Sequence, residues 1–116
     1  MEDLTINQLI HESYTTAVEK GWWAEGEGTD RSIGMALMLM VSELSEALEE
    51  HRNGKALDEI WYQPNGKPEG IAVELADVII RIADLVGHHK MPLVRALTEK
   101  LAYNKTREFR HGNKKA

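Results

Sequence analysis

The chain has 116 residues, of which 42% are hydrophobic and 28% charged, with a formal net charge of −5 and no cysteine. That length and balance fit one domain with a real core. They exclude a disulfide scaffold and a thiolate zinc site, and they argue against duplex nucleic acid as a partner. No apolar run is long enough to span a membrane. Met1-Glu2-Asp3 lacks the basic start and apolar run of a secretory signal, so a cytoplasmic location is expected.

Four helical segments are predicted, giving an all-α domain over residues 1–109. The first runs from about Ile6 to Lys20, with Ile6, Leu9, Ile10, Ala17 and Val18 on one apolar face. Thr5 with Gln8 three residues on forms a capping box, and Gly21 ends the helix. A loop follows to about Asp30, with Gly26 and Gly28 in it. It carries Trp22 and Trp23, which read equally as core plugs or as stacking platforms for a base.

The second helix spans about Ser32 to His51, with Asn53-Gly54 as its stop signal. From Ile33 to Val41 it is apolar almost all round, which predicts burial between several neighbours. The acids Glu43, Glu46, Glu49 and Glu50 then begin. Glu43, Glu46 and Glu50 continue a stripe that starts with Met35 and Leu39, so one face changes from apolar to acidic partway along.

The connection from about Gly54 to Glu69 is broken by Pro64, Gly66 and Pro68, with Trp61 and Tyr62 expected on a short helical turn. The third helix, about Gly70 to His88, is apolar around most of its circumference. Its polar residues, Glu74, Asp77, Arg81, Asp84 and His88, form one narrow stripe. A solvent-facing helix has a wider polar face, so this one is expected at the centre. The fourth starts at Pro92 and reaches Thr106 or Arg107, with Leu93, Leu97 and Leu101 as its core line. A basic tail, residues 110–116, is expected to be disordered.

Two acidic pairs carry the chemistry: Glu43-x-x-Glu46 and Glu74-x-x-Asp77. A spacing of three places both carboxylates of a pair on one helix face. In an apolar setting such carboxylates repel one another and lose hydration, so a positive partner is required. Four hard oxygen ligands suit Mg²⁺ or Mn²⁺, and a divalent metal suits phosphate chemistry. The bland alternative is a pair of solvated amphipathic faces. A di-iron bundle needs Glu-x-x-His on core helices, and the only such spacing, Glu108 to His111, lies near the tail. His88-His89 reads as a complement to a helix C-terminus. Lys100, Asn104 and Arg107, with Lys105 beside them, read as phosphate ligands or as a basic helix end. With no glycine-rich phosphate loop, no Gly-x-Ser-x-Gly and no cysteine nucleophile, hydrolysis would use metal-activated water.

Glu43-x-x-Glu46 followed after a loop by Glu74-Leu-Ala-Asp77-Val resembles the paired signature of the all-α nucleoside triphosphate pyrophosphohydrolases. These form the MazG-like family, with the helical dUTPases and dCTP pyrophosphatases. Lys100-Leu-Ala-Tyr-Asn104-Lys105-Thr-Arg107 resembles that family's C-terminal segment. Trp22 or Trp23 followed by Arg31-Ser32 looks like the aromatic entry of the dCTP-type branch. The similarity covers about Trp22 to Arg107. It implies a helical bundle of four to five helices assembled as a homodimer or homotetramer. It implies Mg²⁺ held by Glu43, Glu46, Glu74 and Asp77, phosphates steadied by Lys100, Asn104, Lys105 and Arg107, and a base on Trp22 or Trp23. The reaction implied is cleavage of a nucleoside triphosphate to the monophosphate and pyrophosphate. One departure is Ser42, where many members carry an additional Glu that is a candidate base. The alternative function is a non-catalytic helical module for nucleotide sensing or oligomerisation.

Overall fold

Local capping chemistry sets most of the helix boundaries in the computed structural model, which describes residues 3–23 and 32–107. Its elements are α1 (Ile6–Glu19), α2 (Ile33–Arg52), β1 (Trp61–Tyr62), β2 (Pro68–Glu69), α3 (Ile71–His89) and α4 (Leu93–Thr106). At the start of α1, Gln8 N–H donates to Thr5 Oγ1 at 3.0 Å and Thr5 N–H donates to Gln8 Oε1 at 2.8 Å, the expected capping box. The helix closes where Gly21 adopts φ 82°, with Gly21 N–H on Val18 O and Trp22 N–H on Ala17 O. The same paired closure ends α2 at Gly54, φ 80°, through Gly54 to His51 and Lys55 to Glu50. Ser32 caps α2 by accepting Met35 N–H. Pro92, the predicted start of the fourth helix, lies at the N-cap of α4, whose first helical residue is Leu93.

Trp61 and Tyr62 are not helical. They form β1, which pairs antiparallel with β2 in the register Trp61 to Glu69 and Tyr62 to Pro68. The reason is the turn between them. Pro64 presets one turn, Gly66 takes φ 88°, and Gln63 N–H closes the loop onto Lys67 O at 2.9 Å. The residues expected to break structure thus make a hairpin. Gly70 then joins β2 directly to α3 at φ 138°, where a Cβ would lie 2.4 Å from Glu59 O. Only glycine fits that junction.

α3 occupies the centre, packed against α1 and α2. Its buried residues are Ile71, Glu74, Ala83, Asp84, Leu85 and Val86. Gly87 admits α1 at close range, since a Cβ there would meet Tyr14 Cβ at 2.7 Å. On the α2 side, Ala36, Met40 and Leu85 form a small core with Trp23, Val78 and Ile82 against it. The narrow polar stripe of the third predicted helix therefore does mark a central helix.

The apolar stretch of α2 behaves differently from expectation. Ala36, Met40 and Ala47 are buried, but Ile33, Met35, Leu37, Met38 and Val41 are exposed in the single chain. α4 buries no residue, and Val94, Leu97 and Leu101 of its apolar side are open. One chain has too few elements to cover both surfaces. Among the described residues, no helix is long and apolar enough to cross a membrane. The expectations for Gly26, Gly28, Arg31, the Glu108–His111 spacing and the basic tail fall outside the described residues.

Candidate metal centre

α2 and α3 run side by side with their acidic turns level, and this brings three of the four predicted carboxylates together. One oxygen each from Glu43, Glu46 and Glu74 lies within 4.8 Å of the others. Glu74 comes from the first turn of α3 and is only 8% exposed. Its Oε2 is buried with no hydrogen-bond partner. Burial, followed by close contact with Glu43 and Glu46 and by their charge, pushes the Glu74 carboxyl up to about 8. A neutral Glu74 is how the protein tolerates the cluster when no cation is bound.

Asp77, one turn further along α3, is half-buried and lies outside that trio. Desolvation raises its pKa, and the charge of Glu43 adds to this, while Arg81 and Lys67 oppose it. It therefore stands at the edge of the cluster, near enough to feel it. Arg81 is the residue that sequence reasoning missed here. Its Nε and Nη2 both donate to Glu43 Oε1, at 3.0 and 2.8 Å, orienting that carboxylate from across the α2–α3 seam. The available signal was its place on the stripe, four residues after Asp77.

Three hard carboxylate oxygens within reach of one point, one on a buried group with an orphaned atom, fit a divalent cation such as Mg²⁺ or Mn²⁺. A dication held there would answer both the repulsion and the unsatisfied oxygen.

Among the described residues, two cavities adjoin the seam. The larger, about 470 Å³, lies between α1 and α3 and is lined by Leu9 and Ala17 on one side and Asp77, Ile80 and Arg81 on the other, with Trp22 at its edge. That size is ample for a small organic ligand. The tryptophans divide here. Trp22 borders this cavity. Trp23 stacks on His88 at 3.7 Å with planes 8° apart, and its indole N–H donates to buried Asp84. Trp23 therefore packs against His88 and Asp84, whereas Trp22 lines the cavity. The smaller cavity, about 330 Å³, lies on the other flank of Glu74 and includes Ser42, Glu46, Glu50 and Glu69. Glu69, delivered by the hairpin, is a second residue that helical periodicity did not point to.

The predicted phosphate ligands Lys100, Asn104, Lys105 and Arg107 are all exposed on α4 or just beyond it. Lys100 and Arg107 lie over the Tyr103 ring at 5.2 and 5.9 Å. Among the described residues α4 has no extensive packing against α2 or α3, so one chain does not bring these groups to the carboxylates. No protein-family model matches the chain, and comparison with curated proteins and with solved structures returns no similar chain.

Proposed function

We propose that this protein is a Mg²⁺-dependent nucleoside triphosphate pyrophosphohydrolase that converts a nucleoside triphosphate to its monophosphate and pyrophosphate. The observation that carries the reading is Glu74, buried between Glu43 and Glu46 with one oxygen lacking any partner. Glu43, Glu46 and Glu74 would hold the cation, with Asp77 one turn on completing the set. When bound, the metal polarises phosphate oxygens and lowers the pKa of an attacking water. Mn²⁺ would serve in the same way.

The chain's own groups do the rest. Arg81 holds Glu43 in place and also borders the larger cavity, so the cavity and the carboxylates share a wall. A base seated beside Trp22 would have its phosphates directed past Asp77 and Arg81 toward the acidic seam. The basic groups of α4, Lys100, Asn104, Lys105 and Arg107, would reach those phosphates from a second copy. The exposed apolar faces of α2 and α4 support a homodimer or homotetramer. The MazG-like resemblance supports the same assignment, with a house-cleaning role in the cytoplasmic nucleotide pool.

The deciding experiment is a panel of canonical and modified nucleoside triphosphates incubated with Mg²⁺ and followed for pyrophosphate. Release of pyrophosphate and monophosphate from at least one nucleotide is the expected result. Mg²⁺ binding without turnover of any nucleotide would instead favour the non-catalytic sensing module.

A further inference from the structure

Hydrolysis at the carboxylate trio needs a group to take the proton from water, and the trio's own oxygens would be committed to the cation. Glu43 is further occupied by Arg81. Ser42 and Ser45 border the smaller cavity beside Glu74, but a serine hydroxyl does not accept a proton near neutral pH. Three other carboxylates line that space, Glu49, Glu50 and Glu69. Glu49 is paired with Arg52 at 3.1 Å, and both side chains are exposed. No hydrogen bond fixes the Glu50 carboxylate among the described residues. Glu69 is different. Its Oε1 accepts from Gln63 Nε2 at 2.9 Å and from Lys67 Nζ at 3.3 Å, and its side chain is only 16% exposed. Both contacts come from the hairpin itself and use the same oxygen. Oε2 carries no hydrogen bond among the described residues. The backbone behind it is fixed as well, because Gly70 is wedged against Glu59 O. The cavity it faces is shared with Glu74, a side chain more than nine-tenths buried whose Oε2 has no partner.

We propose that Glu69 is the general base of the reaction, a catalytic residue supplied by the β-hairpin. This inference rests on the pyrophosphohydrolase reading above. Water occupies the cavity between Glu69 and the trio. Its oxygen bonds to one of the two phosphorus atoms flanking the α–β bridge. The bridging P–O bond breaks, and its electron pair leaves with the other phosphate fragment. The water proton passes to Glu69 Oε2. Gln63 and Lys67 act as positioning residues that hold the carboxylate plane.

The test compares wild type, Glu69→Gln, Glu69→Ala and Glu50→Gln in the full chain. For each, kcat and KM are measured on the best nucleotide of the panel, and Mn²⁺ affinity is measured separately by EPR titration without nucleotide. In Glu69→Gln, kcat should fall by about 10²- to 10⁴-fold while KM and Mn²⁺ affinity are retained. Added formate should restore part of the activity of Glu69→Ala, because the small acid can enter the vacated space. Unchanged kcat in Glu69→Gln overturns the proposal. So does a parallel loss of Mn²⁺ affinity, which would make Glu69 a metal ligand, or a loss that appears in Glu50→Gln instead. A wild type inactive on every nucleotide removes the reaction itself and the base with it. An active wild type with an equally active Glu69→Gln removes only the base.

Discussion

α3 and α4 are adjacent in the chain and both carry an apolar line, yet they end in opposite environments. α3 lies between α1 and α2 and buries six residues, including two carboxylates, Glu74 and Asp84. α4 buries none, and its basic groups stand in the open. The contrast teaches where this domain buries its carboxylates and where it leaves apolar surface uncovered. Asp84 on α3 is met locally by the Trp23 indole, and Arg81 of α3 meets Glu43 of α2, whereas Glu74 keeps one oxygen without a partner. Apolar surface is left on α4 and α2 because a single chain has nothing to cover it with.

The largest effect that tests this contrast is expected on α3. Glu74→Gln removes the most buried carboxyl of the trio and should reduce Mg²⁺-dependent turnover by about 10³-fold or more. The same change should stabilise the metal-free protein. The folded Glu74 carboxyl is raised to about 8 from an ordinary 4.5. The stability it contributes is therefore complete below the unfolded value and is lost as pH rises toward the folded one. Metal-free wild type should weaken by a few kcal/mol, on the order of one per pH unit, across that window. Glu74→Gln should show a much flatter profile, and saturating Mg²⁺ should restore wild type at the alkaline end. Thermal melts against pH, with and without Mg²⁺, measure all three. A wild-type profile that rises with pH through this window would place Glu74 in a different environment.

A smaller effect is expected on α4, and it has the opposite logic. Leu97→Ala and Leu101→Ala should each weaken an assembly by about 2–4 kcal/mol, seen as dissociation on dilution by light scattering, with helix content retained. If α4 is solvated in solution, each change should instead move stability by less than about 0.5 kcal/mol, and wild type should run as a 13.1 kDa monomer. That outcome would also separate Lys100, Asn104, Lys105 and Arg107 from the carboxylate trio.

The smallest effects are expected at the tryptophans, which repeat the contrast between neighbours. Trp22→Ala should raise KM by about five- to a hundred-fold, by different factors for different bases, because a stacked base is worth roughly 1–3 kcal/mol. Trp23→Ala should lower the melting temperature through the lost His88 stack, with a base-independent effect on KM. Equal base dependence in both variants would contradict the division of roles.

Much of the local architecture was legible from the sequence, because its causes lie within a few residues of one another. Thr5 with Gln8, Ser32, and the glycines at 21 and 54 set helix ends through bonds spanning three to five residues. The narrow polar stripe of α3 announced a central helix, and the spacing of Glu43 with Glu46 placed both on one face for the same reason. The tertiary structure decided what depends on segments far apart. Arg81 meets Glu43 across 38 positions, and Trp23 meets Asp84 across 61. No periodicity encodes such pairings. Packing likewise separated Glu74 from Asp77: the two share the spacing of Glu43 and Glu46, yet only Glu74 joins the trio. It turned Trp61 and Tyr62 into a strand, because a two-residue strand is defined by its partner and not by its own pattern. It brought Glu69 beside the trio and left α4 bare, since burial belongs to the space between elements and a linear sequence names only the elements themselves.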